Sequence, residues 1–305
     1  MNLLTQNFKG FPSLEDPISK SWVGQSSQRP QISIIIPAFN EARYLKKCLD
    51  SVLRQETDIP YEVIVVDNHS QDATPQIALQ QGVRLVQESH RGLTHAREAG
   101  YRAARAPLLA YVDADSIVPY HWVDAIYEAF QQRPEAIALC GSFRYVLKST
   151  LHRFIFSLYF HMVEPVADFF LKGQRLAGGN FAVRKEALQK IGGFNLEIEF
   201  YGEDMELASR LKKVGAIVPM GARILSSGRR FDKKGIVIPG FIYLFNYLWL
   251  FIFKKPIFSF YDVAEEDVSY SHASDQDVSS ETLTLEGHPA EEVLPQVPSP
   301  LMGEG

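Results

Sequence analysis

The sequence predicts an α/β domain with a mostly parallel sheet and helices on both of its faces. Three observations carry that prediction. Short β-branched runs alternate with helix-period stretches between Gln31 and Asp115. The runs are apolar throughout, as strands covered on both faces are. Each run stops at a polar cluster, and open parallel sheets hold their ligands at the carboxyl ends of strands.

The elements follow in order. Gln31-Ile-Ser-Ile-Ile-Ile36 is a strand ended by Pro37, and Glu41–Arg54 lines Leu45, Leu49, Val52 and Leu53 along one helical stripe. Glu62–Val66 is the second strand, followed by a helix near Asp72–Gln81, a strand at Val83–Val86 and a helix over Leu93–Ala104. Leu108–Val112 then runs straight into Asp113-Ala-Asp115. Strand and helix alternating at this rhythm give βαβ units. Further on, Ile137–Tyr145 is a strand, Leu151–Leu171 a long aromatic-rich helix, and Glu203–Lys213 an amphipathic helix stopped by Gly215.

Composition divides the chain into four parts. Residues 1–30 are polar without a period and predict a poorly ordered extension; 31–231 form the folded domain; 232–261 are an apolar, membrane-associating segment; 262–305 are an acidic tail. The tail holds eleven of the 36 acidic residues and no Lys or Arg, so the body keeps 25 acidic residues against 31 basic ones, about +6. A segment so poor in apolar residues predicts disorder. A basic body suits an anionic partner, yet no zinc-ligand spacing, basic helix or Arg-rich run points to nucleic acid. Cys48 and Cys140 are far apart in apolar contexts, as reduced core thiols are. With no charged and apolar blocks of an export signal near the start, the expectation is a cytoplasmic protein.

Gly235–Phe253 is nineteen mostly apolar residues, interrupted by Pro239 and Asn246 and flanked by Arg229, Arg230, Lys233, Lys234, Lys254 and Lys255. A spanning helix needs roughly 20 apolar residues. Basic flanks on both ends favour an in-plane contact with anionic lipid over a single span or a buried helix. The expectation is peripheral association with the cytosolic face of a membrane.

Four polar clusters fall at strand ends: Pro37-Ala-Phe-Asn40-Glu41, Asp67-Asn68-His69-Ser70, Glu88–Arg91 and Asp113-Ala-Asp115. Two carboxylates at i and i+2 can present oxygens to one hard cation, Mg²⁺ or Mn²⁺, which commonly bridges to phosphates. The competing reading makes Asp115 or Ser116 the start of a helix with Pro119 in its first turn. Asp67 can accept from a base N–H or a ribose hydroxyl. The helix opening after His90 offers amides, Arg91 and Arg97 to a pyrophosphate. Gly178-Gly179 permits a close backbone approach, and Asn180 offers donors and acceptors. Asp204 shares a helical stripe with Leu207, Ala208 and Leu211, which turns it inward.

Together these residues resemble glycosyltransferase family 2, the inverting GT-A transferases. The resemblance rests on Ser33-Ile-Ile-Ile-Pro-Ala-Phe-Asn-Glu41, Val63-Ile-Val-Val-Asp-Asn68, Tyr111-Val-Asp-Ala-Asp115, Gly178-Gly-Asn180 with Gly192-Gly-Phe194, and Gly202-Glu-Asp-Met-Glu206, in the family's order. It implies a GT-A fold over roughly residues 31–231, to which the apolar run adds a C-terminal helical segment. It also implies transfer from a nucleotide-diphosphate sugar to a lipid-linked or glycan hydroxyl, in cell-surface polysaccharide or glycolipid synthesis. Pro37, Asn40, Glu41 and Asp67 would contact the nucleotide, Asp113 would sit on the nucleotide side, and Asp115, with Asp113, would hold the metal that bridges the diphosphate. Arg97 would lie near the diphosphate, Gly179 and Asn180 beside sugar and acceptor, and Arg229 and Arg230 in a basic loop over the phosphates. Asp204 would be the general base, with Glu203 assisting acceptor binding. No Gln-x-x-Arg-Trp motif of processive members is present.

Overall fold

A computed structural model describes residues 10–12, 16–23, 29–147, 176–198 and 202–229. The first half alternates β1 (Ile32–Ala38), α1 (Ala42–Leu53), β2 (Tyr61–Asp67), α2 (Thr74–Gln80), β3 (Arg84–Gln87), α3 (Leu93–Ala103) and β4 (Leu108–Val112). There follow β5 (Ser116–Ile117), α4 (Trp122–Gln132), β6 (Ala136–Val146), β7 (Asn180–Arg184), α5 (Lys185–Lys190), α6 (Glu203–Leu211) and β8 (Ala216–Ser227). They make one sheet in the order β3-β2-β1-β4-β7-β6-β8-β5. Strands β1 to β4 are parallel. Strand β7 runs against β4 and β6, and β8 lies parallel to β6.

The apolar runs lack alternation because both faces of the sheet are covered. Ile34 and Ile36 face one core cluster with Leu45, Leu49 and Val52 of α1, while Ile35 faces another with Ala96 of α3 and Leu207 and Leu211 of α6. Each such fully buried side chain contributes roughly 1.5–3 kcal/mol. One charge breaks the run in β2. Glu62, 1% exposed, accepts hydrogen bonds from Ser33 Oγ (2.6 Å), the Arg105 backbone N–H (2.7 Å) and Arg105 Nε (2.8 Å). A buried carboxylate with three donors avoids most of its desolvation penalty.

Several expectations are corrected. Pro37 lies inside β1 opposite Val66, where pairing with β4 has already stopped at Ile35, so its missing N–H breaks no ladder on that side. Part of the segment expected to be poorly ordered is packed. Trp22 bridges to Tyr61, Val23 donates its N–H to the Tyr61 carbonyl at 3.0 Å, and Val23 is buried. Main-chain pairing over two or three residues is too short to leave a period in the sequence. Strand β8 also escapes pattern reading, because Pro219 and Gly221 interrupt it where the register with β6 shifts between Cys140 and Ser142. The remaining residues of 1–30, the helix expected over Leu151–Leu171, the segment 232–261 and the tail lie outside the described residues. Among the described residues no helix is long and apolar enough to cross a membrane.

Helix α3 lies unusually close to the sheet at Gly100. A Cβ there would stand 2.3 Å from Ile35 Cγ2 and 3.2 Å from Val66 Cγ2. Alanine is the better helix former by about 1 kcal/mol, whereas overpacking a core costs about 1–3 kcal/mol. Gly100→Ala is therefore expected to lower the urea midpoint despite the gain in propensity. A midpoint that holds or rises would contradict the close contact.

Candidate active site

The ends of β1, β2 and β4 bring their loops together along one edge of the sheet. Asn40 takes a left-handed φ of 54°, which asparagine tolerates better than most residues. Its N–H donates to Ser70 Oγ (2.9 Å), and its side-chain oxygen accepts from the Gln71 N–H (2.8 Å), tying the first loop to the second. Asp72 fastens two helices at once, accepting the Ala42 N–H with Oδ2 (3.0 Å) and the Thr74 N–H with Oδ1 (2.9 Å). Asp67, buried at the end of β2, accepts the Ser70 N–H at 3.3 Å, while Asn68 holds the next loop through the Gly92 N–H (2.8 Å) and the His90 carbonyl (2.7 Å).

Asp113 and Asp115 follow β4 directly. Asp115 does not open a helix: β5 intervenes, and α4 begins only at Trp122. The carboxylates of Glu41 and Asp115 share one cation. Arg229 grips Glu41 with two guanidinium nitrogens, and its Nε lies 3.6 Å from Asp115 Oδ2. The guanidinium also stands over the Tyr44 ring, 4.7 Å from its centroid. Burial pushes Glu41 up to about 7; Arg229 pulls it down, and the Asp115 and Asp113 charges push it further up.

On the other side stands Arg97, expected near a pyrophosphate and found buried. It donates to the Gly178 carbonyl and to Glu203 Oε1 (3.1 Å), lies 3.9 Å from Asp113 Oδ1, and rests over the Phe181 ring at 5.5 Å. Its Nε has no hydrogen-bond partner among the described residues. Phe181 in turn stacks on Tyr111 at 4.6 Å. Burial pushes Glu203 up to about 7, and the neighbouring Asp204 charge adds to this while Arg97 opposes it. Asp204 is also raised by burial, against Arg97 and the backbone N–H groups around it. Its Oδ1 accepts the Met205 N–H at 2.8 Å.

Gly178-Gly179 passes between the two groups of acids. A Cβ on Gly179 would fall 2.0 Å from Asp113 Oδ2, and one on Gly178 would meet Glu203 Oε1 at 3.3 Å and Asp204 Oδ2 at 3.6 Å. The clash at Gly179 would force the Asp113 carboxylate to move, whereas the contacts at Gly178 are only tight. Asn180 corrects the sequence-based expectation. It is fully buried, with its side chain accepting from Trp122 Nε1 (3.1 Å) and donating to the carbonyls of Ser142 (2.9 Å) and Ala222 (3.3 Å). It stitches β6, β7, β8 and α4 together, a structural role that the sequence did not suggest. Arg230 lies outside the described residues. Sequence reasoning missed Tyr44, Trp122 and Asp72; a tyrosine one turn into the helix after Glu41 was the only local signal.

The oxygen-only donor set of Asp113 and Asp115 fits a hard divalent cation. The edge of a doubly wound α/β sheet, with acids at the strand ends, defines a nucleotide-type site. Residues 33–192, a little more than half of the chain, match Glycosyl transferase family 2, and the chain belongs to that family. Glycosyltransferase AglE of Haloferax volcanii is 36% identical over 106 residues, 32% of this chain and 35% of that protein. Uncharacterized glycosyltransferase EpsJ of Bacillus subtilis is 31% identical over 121 residues, 38% of this chain and 35% of that one. The chain thus spans about a third of the length of the curated relatives it matches. Among solved structures, S. aureus TarS 1-349 aligns with a TM-score of 0.50 at 17% identity over 65% of this chain and 60% of that one. Glucosyl-3-phosphoglycerate synthase of Mycobacterium tuberculosis, solved with Mn²⁺, UDP-glucose and phosphoglyceric acid, gives 0.50 at 20% identity over 68% of this chain and 75% of that one. The shared architecture is the GT-A-like α/β fold with a mixed, mostly parallel sheet flanked by helices.

The raised acids set a pH dependence. Glu203 binds its proton more tightly folded than unfolded, so its contribution to stability is full below pH 4.5 and is lost as pH rises through about 7. In metal-free protein, the stability of wild type relative to Glu203→Gln should fall across that window, by at most about 1.4 kcal/mol per pH unit. Urea denaturation at stepped pH measures it, and a flat difference would remove the case for a buried, raised Glu203.

Proposed function

We propose that this chain is an inverting, metal-dependent glycosyltransferase that moves a sugar from a nucleoside-diphosphate donor to a hydroxyl acceptor. The observation that carries the reading is the meeting of two acid groups across Gly178-Gly179: Asp113, Asp115 and Glu41 on one side, Glu203 and Asp204 on the other. The first group suits a cation and a nucleotide, the second a proton acceptor. Mg²⁺ or Mn²⁺ held by Asp113 and Asp115 supplies charge neutralisation for the departing diphosphate. The Mn²⁺ and UDP-glucose bound by the Mycobacterium tuberculosis enzyme of like fold support that assignment.

Asp67, Asn40 and Pro37, next to the last residue of β1, would line the place for the nucleoside. Arg229 has its guanidinium on Glu41 and Asp115, where it would add positive charge beside the diphosphate. Asp204 takes the proton from the acceptor hydroxyl as that oxygen attacks the anomeric carbon opposite the leaving group. One C–O bond forms, the bond to the diphosphate breaks, and the configuration inverts. Burial raises Asp204 towards the working range of a general base. Arg97, fixed by Phe181 and Glu203, orients that acid pair.

Calorimetric titration with UDP-, GDP- and dTDP-sugars in Mn²⁺, repeated in EDTA and with Asp115→Ala, tests the reading. One nucleotide class is expected to bind, with affinity falling at least about tenfold on chelation or mutation. Folded protein that binds none of them would favour a non-catalytic scaffold.

The apolar segment at 235–253 and its basic flanks support a lipid-linked acceptor and peripheral attachment to the cytosolic membrane face. Full-length protein is expected to sediment with vesicles rich in anionic lipid and to be released by high salt. Protein truncated after Arg230 should stay in the supernatant. Equal sedimentation of the two would refute the attachment.

A further inference from the structure

Beside the nucleotide-type site, the chain carries a second ligand cluster of different chemistry. Glu88, His90 and His95 each present one ligand atom, and these atoms lie within 4.8 Å of one another. Glu88 follows β3, and His95 stands in the first turn of α3, so both stand on the regular framework. The turn between them is pinned. The Glu88 N–H donates to the Asp67 carbonyl (2.9 Å), Asn68 Nδ2 donates to the His90 carbonyl (2.7 Å), and the Gly92 N–H donates to Asn68 Oδ1 (2.8 Å). The His90 and His95 rings stack at 5.5 Å with 21° between their planes, and Glu88 Oε1 lies 3.0 Å from His90 Nδ1.

We infer that Glu88, His90 and His95 form a binding site for a zinc-class transition ion, separate from the oxygen-only pair Asp113 and Asp115. Two imidazoles and one carboxylate are a ligand set that Zn²⁺, Ni²⁺ or Co²⁺ prefers and Mg²⁺ does not. A tetrahedral shell with bonds of about 2.1 Å puts its donors about 3.4 Å apart. The present spacing reaches that by rotamer adjustment, which the His90 side chain, 77% exposed, is free to make. The cluster opens on a cavity of about 600 Å³ that Glu98, Arg102 and Leu196 also line. Glu98 lies outside the three-residue cluster, its oxygens accepting from Arg102 Nε (2.8 Å) and the Phe194 N–H (3.0 Å). Three protein ligands with the remaining position open to the cavity is the pattern of an accessible zinc site rather than a closed structural one.

The ion would clamp the same turn that Asn68 holds, next to Asp67. That turn also carries Arg91, whose guanidinium lies 4.8 Å over the Phe39 ring at the end of β1. Occupancy would therefore fix one wall of the neighbouring site without touching its carboxylates.

The test uses the full chain free of any histidine tag, stripped of metal and titrated with Zn²⁺ by calorimetry. Co²⁺ substitution read by its visible ligand-field bands gives the geometry. Wild type and Asp115→Ala are both expected to bind one zinc-class ion at this cluster. His95→Ala and His90→Ala should each weaken that binding by at least about tenfold while leaving the circular dichroism unchanged. Binding that survives His95→Ala and His90→Ala but is lost in Asp115→Ala would put the ion on the acidic pair and overturn the inference. So would the absence of Zn²⁺ binding in wild type. Neither result would touch the nucleotide-sugar titrations, which rest on Asp115.

Discussion

Five carboxylates, those of Glu41, Asp113, Asp115, Glu203 and Asp204, are gathered around one short stretch of backbone, and two guanidinium groups hold them there. At an effective dielectric near 20, two like charges 4 Å apart repel by about 4 kcal/mol. The fold answers in two ways. Arg97 and Arg229 are each driven into contact with acids from distant segments. Glu41 and Glu203 are pushed up to about 7, so part of the negative charge is absent near neutrality. What is left is a formal deficit of positive charge at the place where an anionic diphosphate would have to sit, and a divalent cation is the natural remedy.

Much of the surrounding structure follows from keeping that gathering in place. Strand β4 lies in the middle of the sheet, between β1 and β7, and is buried along its length, so the residues that follow it leave from the core. Tyr111 and Phe181 stack beneath Arg97 and give its long side chain a floor. Trp122 and Asn180 bind the antiparallel half of the sheet to α4, which fixes where Gly178-Gly179 must run. Gly179 answers the crowding that the Asp113 carboxylate creates there.

The parallel half of the fold was legible because its strands are buried on both faces and its helices carry simple stripes. The acids at strand ends were legible for the same reason, since a run such as Leu108–Val112 announces where its chain must leave the core. Asp204 was legible from its spacing to Leu207, Ala208 and Leu211. Asn180 was not. Its direction depends on the register that pairs it with Val112, and nothing nearby in the sequence records that register. Arg229 and Glu41 lie 188 positions apart, so neither hints at the other. The burial of Arg97 was not legible, because its counter-charges, Asp113 and Glu203, come from two other segments of the chain.

Asp72 shows what such sharing means for tolerance to change. It sits in a surface loop between β2 and α2, the sort of position where sequences ordinarily drift. Yet its two oxygens secure the first turns of two helices, and Thr74 Oγ1, its neighbour, receives the Glu41 N–H at 2.8 Å. Losing that one side chain would loosen both helix starts and the residue that pairs with Arg229 at the same moment. The loop thus carries a structural duty shared by two helices, for a reason that neither burial nor chemistry at the reacting atoms would disclose.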